Sequence, residues 1–132
     1  MTPTPSRQRR EDELPPMAES QLQDAVVELA TALGYLVAHA RDSRMQALEG
    51  FPDLVLAPRV GSGLPVLFVE LKTEKGQLTT GRLLSTWDGR GRWVVGQDEW
   101  RDRLLAAGAK WILLRPSDWL NGTIERALKG EK

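Results

Sequence analysis

Asp53, Glu70 and Lys72 are the residues of this chain whose types and spacing can do chemistry together. Asp53 follows Pro52 at the head of the apolar run Leu54-Val55-Leu56-Ala57, and Glu70-Leu71-Lys72 closes the run that begins at Pro65. If the two runs pair as antiparallel strands about the Gly61-Ser62-Gly63 turn, the head of one meets the tail of the other. Two carboxylates and one ammonium then gather at that end. Period-two spacing turns Glu70 and Lys72 to the same side of their strand. A charged pair on one face of an apolar strand is costly unless a partner or a metal satisfies it. Two carboxylates suit a hard divalent cation such as Mg²⁺ or Mn²⁺, and the amine can steady a water or a scissile phosphate. That donor set is the toolkit of a metal-dependent nuclease. The bland reading of the same residues is a structural Glu–Lys ion pair at a sheet end, beside an Asp that only starts a strand.

The elements that must position these groups follow from periodicity. Leu22, Val26, Leu29, Ala30 and Leu33 recur at helical spacing and predict a helix over 18–33, stopped by Gly34. Tyr35 to His39 reads as a first strand, and 41–49 as a polar loop. Leu54–Ala57 and Val66–Leu71 read as two central strands, nearly all apolar and expected to be buried on both faces. Residues 73–80 are polar. Asp88-Gly89, flanked by β-prone residues, predicts a hairpin within 80–96. A helix over 98–107 ends at Gly108. Lys110–Arg115 reads as a buried strand closed by Pro116, and 122–128 as a last helix. The order predicts an α/β chain, a mixed β-sheet flanked by helices. Residues 1–16, polar and with four prolines, read as a flexible tail without a signal core, and 17–132 as a single domain.

Composition bounds the function classes. Lys+Arg and Asp+Glu balance at 18 each, so net charge gives no push towards nucleic acid. A local basic surface is still available where Arg82, Arg90, Arg92, Arg101 and Arg103 gather. The absence of cysteine excludes disulfides, zinc-thiolate sites and thiol catalysis. No apolar run approaches the roughly 20 residues that span a bilayer. No membrane partner is expected, and cytoplasm is the expected compartment.

The motif order resembles the PD-(D/E)xK nuclease superfamily and, within it, the VRR-NUC branch of small phage and bacterial domains. The resemblance covers residues 18–128. It rests on Gly50-Phe51-Pro52-Asp53-Leu54 and on Glu70-Leu71-Lys72-Thr73-Glu74 with Gly76 and Leu78. It rests also on Gln97-x-x-Trp100, and on Ala106-Ala107-Gly108 followed by a strand and Arg115-Pro116-Ser117-Asp118-Trp119. It implies a restriction-endonuclease-like fold and an Mg²⁺- or Mn²⁺-dependent endonuclease that cuts DNA, with branched substrates such as flaps or Holliday junctions first in line. By that resemblance Asp53, Glu70 and the backbone carbonyl of Leu71 hold the metal, and Lys72 orients the attacking water or stabilises charge. Glu19 lies beside the site, and Gln97 reaches towards it. A homodimer would suit a symmetric junction, and a phage-encoded chain would work in its host's cytoplasm. In the shortest relatives the Gly-x-Leu segment runs almost directly into the Gln-x-x-Trp helix. Here 80–96 intervene, an inserted hairpin able to contact substrate through Arg90 and Arg92.

Each of these residues has a plainer reading. Glu19 shares the inward helix face of Gln23, Val26 and Ala30, yet a first-turn acid also favours the helix dipole. Glu28 falls on the polar side. Gln97 is also an ordinary helix-start residue. Ser43 and Arg44 can contact phosphate or belong to a plain polar loop. His39, the only histidine, carries no assignment. The five tryptophans are expected mostly in the core, with Trp87 and Trp93 the candidates for stacking on an unpaired base. Two other functions compete: a restriction-like nuclease, for which 132 residues leave little room for a recognition domain, and a non-catalytic DNA-binding or assembly module. The latter would have no need of the costly charged cluster.

Overall fold

The computed structural model describes residues 17–40 and 49–131. The elements are α1 (Glu19–Ala32), β1 (Leu36–His39), β2 (Leu54–Ala57), β3 (Leu67–Leu71), β4 (Arg82–Leu84), β5 (Arg92–Val94), α2 (Gln97–Ala106), β6 (Lys110–Leu114), α3 (Pro116–Leu120) and α4 (Thr123–Leu128). The chain is mixed α/β. Its main sheet has the order β1-β2-β3-β6, and β4 pairs with β5 as a separate hairpin. β1–β2 and β2–β3 are antiparallel, whereas β3–β6 is parallel.

The sheet has two unlike faces. Leu54, Leu56, Leu67, Val69 and Leu71 point to one side, where they meet Leu22, Val26 and Ala30 of α1 with Leu114, Ile124 and Leu128. All of these are buried, and removing one such leucine to Ala would cost about 2–5 kcal/mol. The alternate residues Val55, Ala57 and Phe68 are only half-buried, so the expectation that both faces are sealed is corrected. On that second face Phe51 stands edge-on to Phe68 (6.2 Å) and to Trp100 of α2 (4.8 Å). A lone helix and two aromatic contacts cover less than α1, α3 and α4 do.

Gly34 takes φ 91°, and Tyr35 N donates to Ala30 O (2.9 Å) while Gly34 N donates to Thr31 O (3.0 Å). This left-handed helix stop reverses the chain. β1 therefore runs back along α1, and the first turn of α1 falls at the end of the sheet where β1 finishes and β2 begins.

Two further expectations are corrected. Pro116 does not merely close β6: its fixed φ suits the first position of the short helix α3, and Arg115 N donates to Asp118 Oδ2 (2.7 Å). Val66 is exposed and lies outside β3, which starts one residue later. The hairpin expected around Asp88-Gly89 is present as β4–β5. No helix among the described residues is long and apolar enough to cross a membrane.

Candidate metal and catalytic site

Asp53 and Glu70 are buried, at 2% and 0% exposure. The β2–β3 register pairs Leu54 with Val69, so one step further Asp53 stands opposite Glu70 on the half-covered face. Directly opposed residues of an antiparallel pair have neighbouring side chains on the same side of the sheet. Asp53 is held from both directions: its carbonyl accepts from Ala40 N (2.9 Å), and Oδ2 accepts from Leu71 N (2.8 Å). The second bond ties its carboxylate to the peptide that follows Glu70.

Glu70 is held by α2. Gln97 Nε2 donates to Glu70 Oε1 at 2.9 Å, inside the protein. The amide of Gln97 is oriented in turn by Thr79, whose N donates to Gln97 Oε1 (2.9 Å) and whose Oγ1 accepts from Gln97 N (3.0 Å). What lets α2 start so close is glycine. A Cβ on Gly96 would meet Gly81 N and Thr80 C, and one on Gly50 (φ 77°) would lie 2.7 Å from the Gly96 carbonyl. Three backbone segments cross there, and side chains would hold them apart.

Lys72 continues the strand by one residue, its N donating to Leu114 O (3.1 Å). It is half-buried, and alternation puts it on the face of Glu70. Among the described residues Lys72 makes no ion pair; the pairs there are Arg92–Glu49, Arg101–Asp102 and Lys129–Glu125. None of these pairs among the described residues joins Glu70 to Lys72. The turn after Lys72 is clamped by Arg115, whose Nη1 donates to the carbonyls of Thr73 (2.7 Å), Glu74 (3.1 Å) and Gly76 (2.7 Å). Ser117 hydrogen-bonds to Glu74, through its side chain and its N–H, and holds that carboxyl below its ordinary value.

The donor set is all oxygen: two carboxylates and the nearby Leu71 carbonyl. No group of three or more His, Cys, Asp or Glu able to hold a metal occurs among the described residues. Carboxylate and carbonyl oxygens are the donor type that hard divalent ions take.

The remaining candidates divide. Glu19 is the first residue of α1, half-buried, at the same end of the sheet as Asp53. Glu28 is exposed, as is His39 at the end of β1. Arg90 and Arg92 are exposed on the hairpin, and Arg92 Nη1 lies 3.3 Å from Glu49 Oε2. Ser43 and Arg44 lie outside the described residues. The tryptophans are corrected: none is among the buried residues, Trp87 is 98% exposed and Trp93 52%. Sequence reasoning missed Thr79 and Arg115 as positioning residues. Arg115 stood out in the sequence only as the start of the Arg115-Pro116-Ser117-Asp118-Trp119 stretch, with no role attached to it.

In comparisons with family models, with curated proteins and with solved structures, nothing matches this chain.

Proposed function

We propose that this chain is a metal-dependent endonuclease that hydrolyses DNA phosphodiester bonds, with a restriction-endonuclease-like arrangement of its sheet and helices. The observation that carries this reading is the buried Asp53–Glu70 opposition, with Lys72 beside it on the same face and in no ion pair among the described residues. Burying two carboxylates side by side opposes folding unless a cation or hydrogen bonds offset it.

In this reading Asp53, Glu70 and the Leu71 carbonyl hold Mg²⁺ or Mn²⁺. The chemistry such an ion supplies when bound is charge stabilisation at the phosphoryl oxygens and a more acidic water. Lys72, a point charge on a flexible stem, orients the attacking water or neutralises charge that gathers on the phosphate as the P–O bond to the leaving oxygen breaks. Gln97 keeps Glu70 in one rotamer. Glu19 lends a further carboxylate from the start of α1.

The test is cleavage. Purified protein with Mg²⁺ or Mn²⁺ is incubated with labelled four-way, flap and linear DNA, with Lys72→Ala as the control. Cutting that needs the ion and is lost in the variant supports the proposal, and preference among the three substrates reports structure selectivity. No cutting of any substrate by folded protein sinks it.

A further inference from the structure

The β4–β5 hairpin carries apolar surface that serves no core. Trp87 at its tip is 98% exposed. Leu83 (68%) and Trp93 (52%) stand opposite each other in the strand register. Scattered exposed hydrophobics are ordinary, but a cluster rimmed by charge marks an interaction surface. The tip is also built. Gly89 N donates to Thr86 O (3.0 Å), Arg90 N to Asp88 Oδ1 (3.0 Å) and Gly91 N to Thr86 Oγ1 (2.9 Å), fixing the loop from which Trp87 projects.

Beside the hairpin lies a cavity of about 330 Å³, lined by Trp93, Val95, Glu99, Trp100, Arg103 and Leu104. That volume is at the lower end of the roughly 300–1,000 Å³ of small-ligand clefts. Trp93 Nε1 donates to Glu99 Oε1 (2.8 Å) and Trp100 Nε1 to Glu49 O (2.8 Å), so both indoles are pinned. Glu99 disfavours a phosphate in this cavity, whereas a base amino group can donate to a carboxylate. Arg82, Arg90 and Arg103 are exposed and make no ion pair among the described residues, in contrast to Arg92 and Arg101. Pinned aromatic faces interleaved with guanidiniums are what an unpaired strand requires, since its bases offer π-faces and its backbone offers phosphates. An intact duplex hides those faces. The same helix that presents Gln97 to Glu70 presents Arg103 to the cavity, about 9 Å further along its axis at about 1.5 Å per residue.

We propose that the hairpin and α2 grip a single-stranded segment of nucleic acid, with one base stacked on Trp87 and another seated against Trp93. The occupant of this surface is then an unpaired strand and not a duplex. This rests on the nuclease reading, and the test separates the two.

Fluorescence anisotropy in EDTA, where nothing is cut, compares labelled oligothymidine with a blunt duplex of equal length. Trp87→Ala is the variant, since so exposed a side chain can be removed without unfolding, and Arg90→Ala is the second. The expected result is tighter binding of the single strand, about tenfold weaker in Trp87→Ala. In Arg90→Ala the salt slope should fall by about one. In flap cleavage with Mg²⁺, Trp87→Ala should raise KM and spare kcat. Single-strand binding that depends on Trp87, with no cleavage of any DNA, upholds the grip and sinks the nuclease. Equal binding by wild type and Trp87→Ala, or preference for the duplex, overturns the grip, even if cleavage persists. Self-association lost in Trp87→Ala without single-strand binding also overturns it, and assigns the surface to a second copy.

Discussion

Gln97 and Glu70 share a buried hydrogen bond, Nε2 to Oε1 at 2.9 Å, that joins the first residue of α2 to strand β3 just before Lys72. Because Thr79 N already donates to Gln97 Oε1, the amide cannot flip, and the nitrogen must face Glu70. The bond fixes one carboxylate oxygen without adding charge. It makes the position of Glu70 depend on the placement of the helix that follows the hairpin.

Gln97→Ala should therefore reduce activity more than stability. Removing a group that orients a metal-binding carboxylate typically costs about 10–100-fold in activity or metal affinity. We expect that range in kcat, with DNA binding in EDTA unchanged. A variant with wild-type kcat would reduce Gln97 to a packing residue.

Lys72 is the complementary case. Having no ion pair to lose among the described residues, it should contribute little to folding, and Lys72→Ala should unfold within about 0.5 kcal/mol of wild type, as for ordinary half-exposed positions. Its catalytic cost should be large, about 100- to 1,000-fold in kcat for the loss of one charge-stabilising donor. Chemical denaturation and single-turnover cleavage measure the two quantities separately. A large stability loss would mean that the amine serves the fold.

How far these residues were legible in the sequence follows from the range of the interactions. Asp53 opposite Glu70 could be anticipated because two apolar runs and a glycine turn set a register, and alternation then sets the faces. The exposure of Trp87 and Trp93 agrees with their expected place in the hairpin, whereas Trp100, Trp111 and Trp119 are half-buried rather than core, because apolar character alone does not set the depth of a side chain. The clamp of Arg115 on Thr73, Glu74 and Gly76 spans about forty residues and ends on backbone carbonyls, which carry no side-chain signature. Thr79 acts on Gln97 through its own N–H and its Oγ1, across a loop and a hairpin that no local pattern links. The helix α3 was hidden by its length of five residues, too short for a period to show.

Metal binding should appear in thermal stability. If the ion binds only the folded chain, Mg²⁺ at about a hundred times its Kd adds about 2.7 kcal/mol. Wild type should then melt higher in Mg²⁺ than in EDTA. Asp53→Asn keeps an oxygen for Leu71 N but loses the charge, so its two melting temperatures should coincide. An equal shift in both proteins would place the ion elsewhere.

The crossing of backbones at Gly50, Gly81 and Gly96 can be tested without touching a polar side chain. In Gly96→Ala the added methyl meets Gly81 N and Thr80 C, which belong to backbone and cannot rotate away. A cost of about 1–3 kcal/mol is expected from overpacking, together with loss of activity as Gln97 is lifted from Glu70. Gly61→Ala is the comparison: its Cβ meets nothing within 4 Å, although φ is 84°. Strain of about 1–2 kcal/mol with full activity is expected there.

Tyr35 gives the chain an alkaline limit. Its hydroxyl donates to Leu128 O at 2.7 Å, tying the strand side of the core to α4, and burial pushes its pKa above the ordinary 10.0. With a raised folded value, the unfolded chain loses its proton first as pH climbs past 10.0, and the folded state then binds more protons. The stabilisation is complete below that pH and is lost on rising through the folded value. Tyr35→Phe should cost about 1–3 kcal/mol at neutral pH by leaving the Leu128 carbonyl unsatisfied. Urea titrations over a range of alkaline pH should converge for the two proteins. Curves that stay parallel would show that the phenol does not titrate with unfolding.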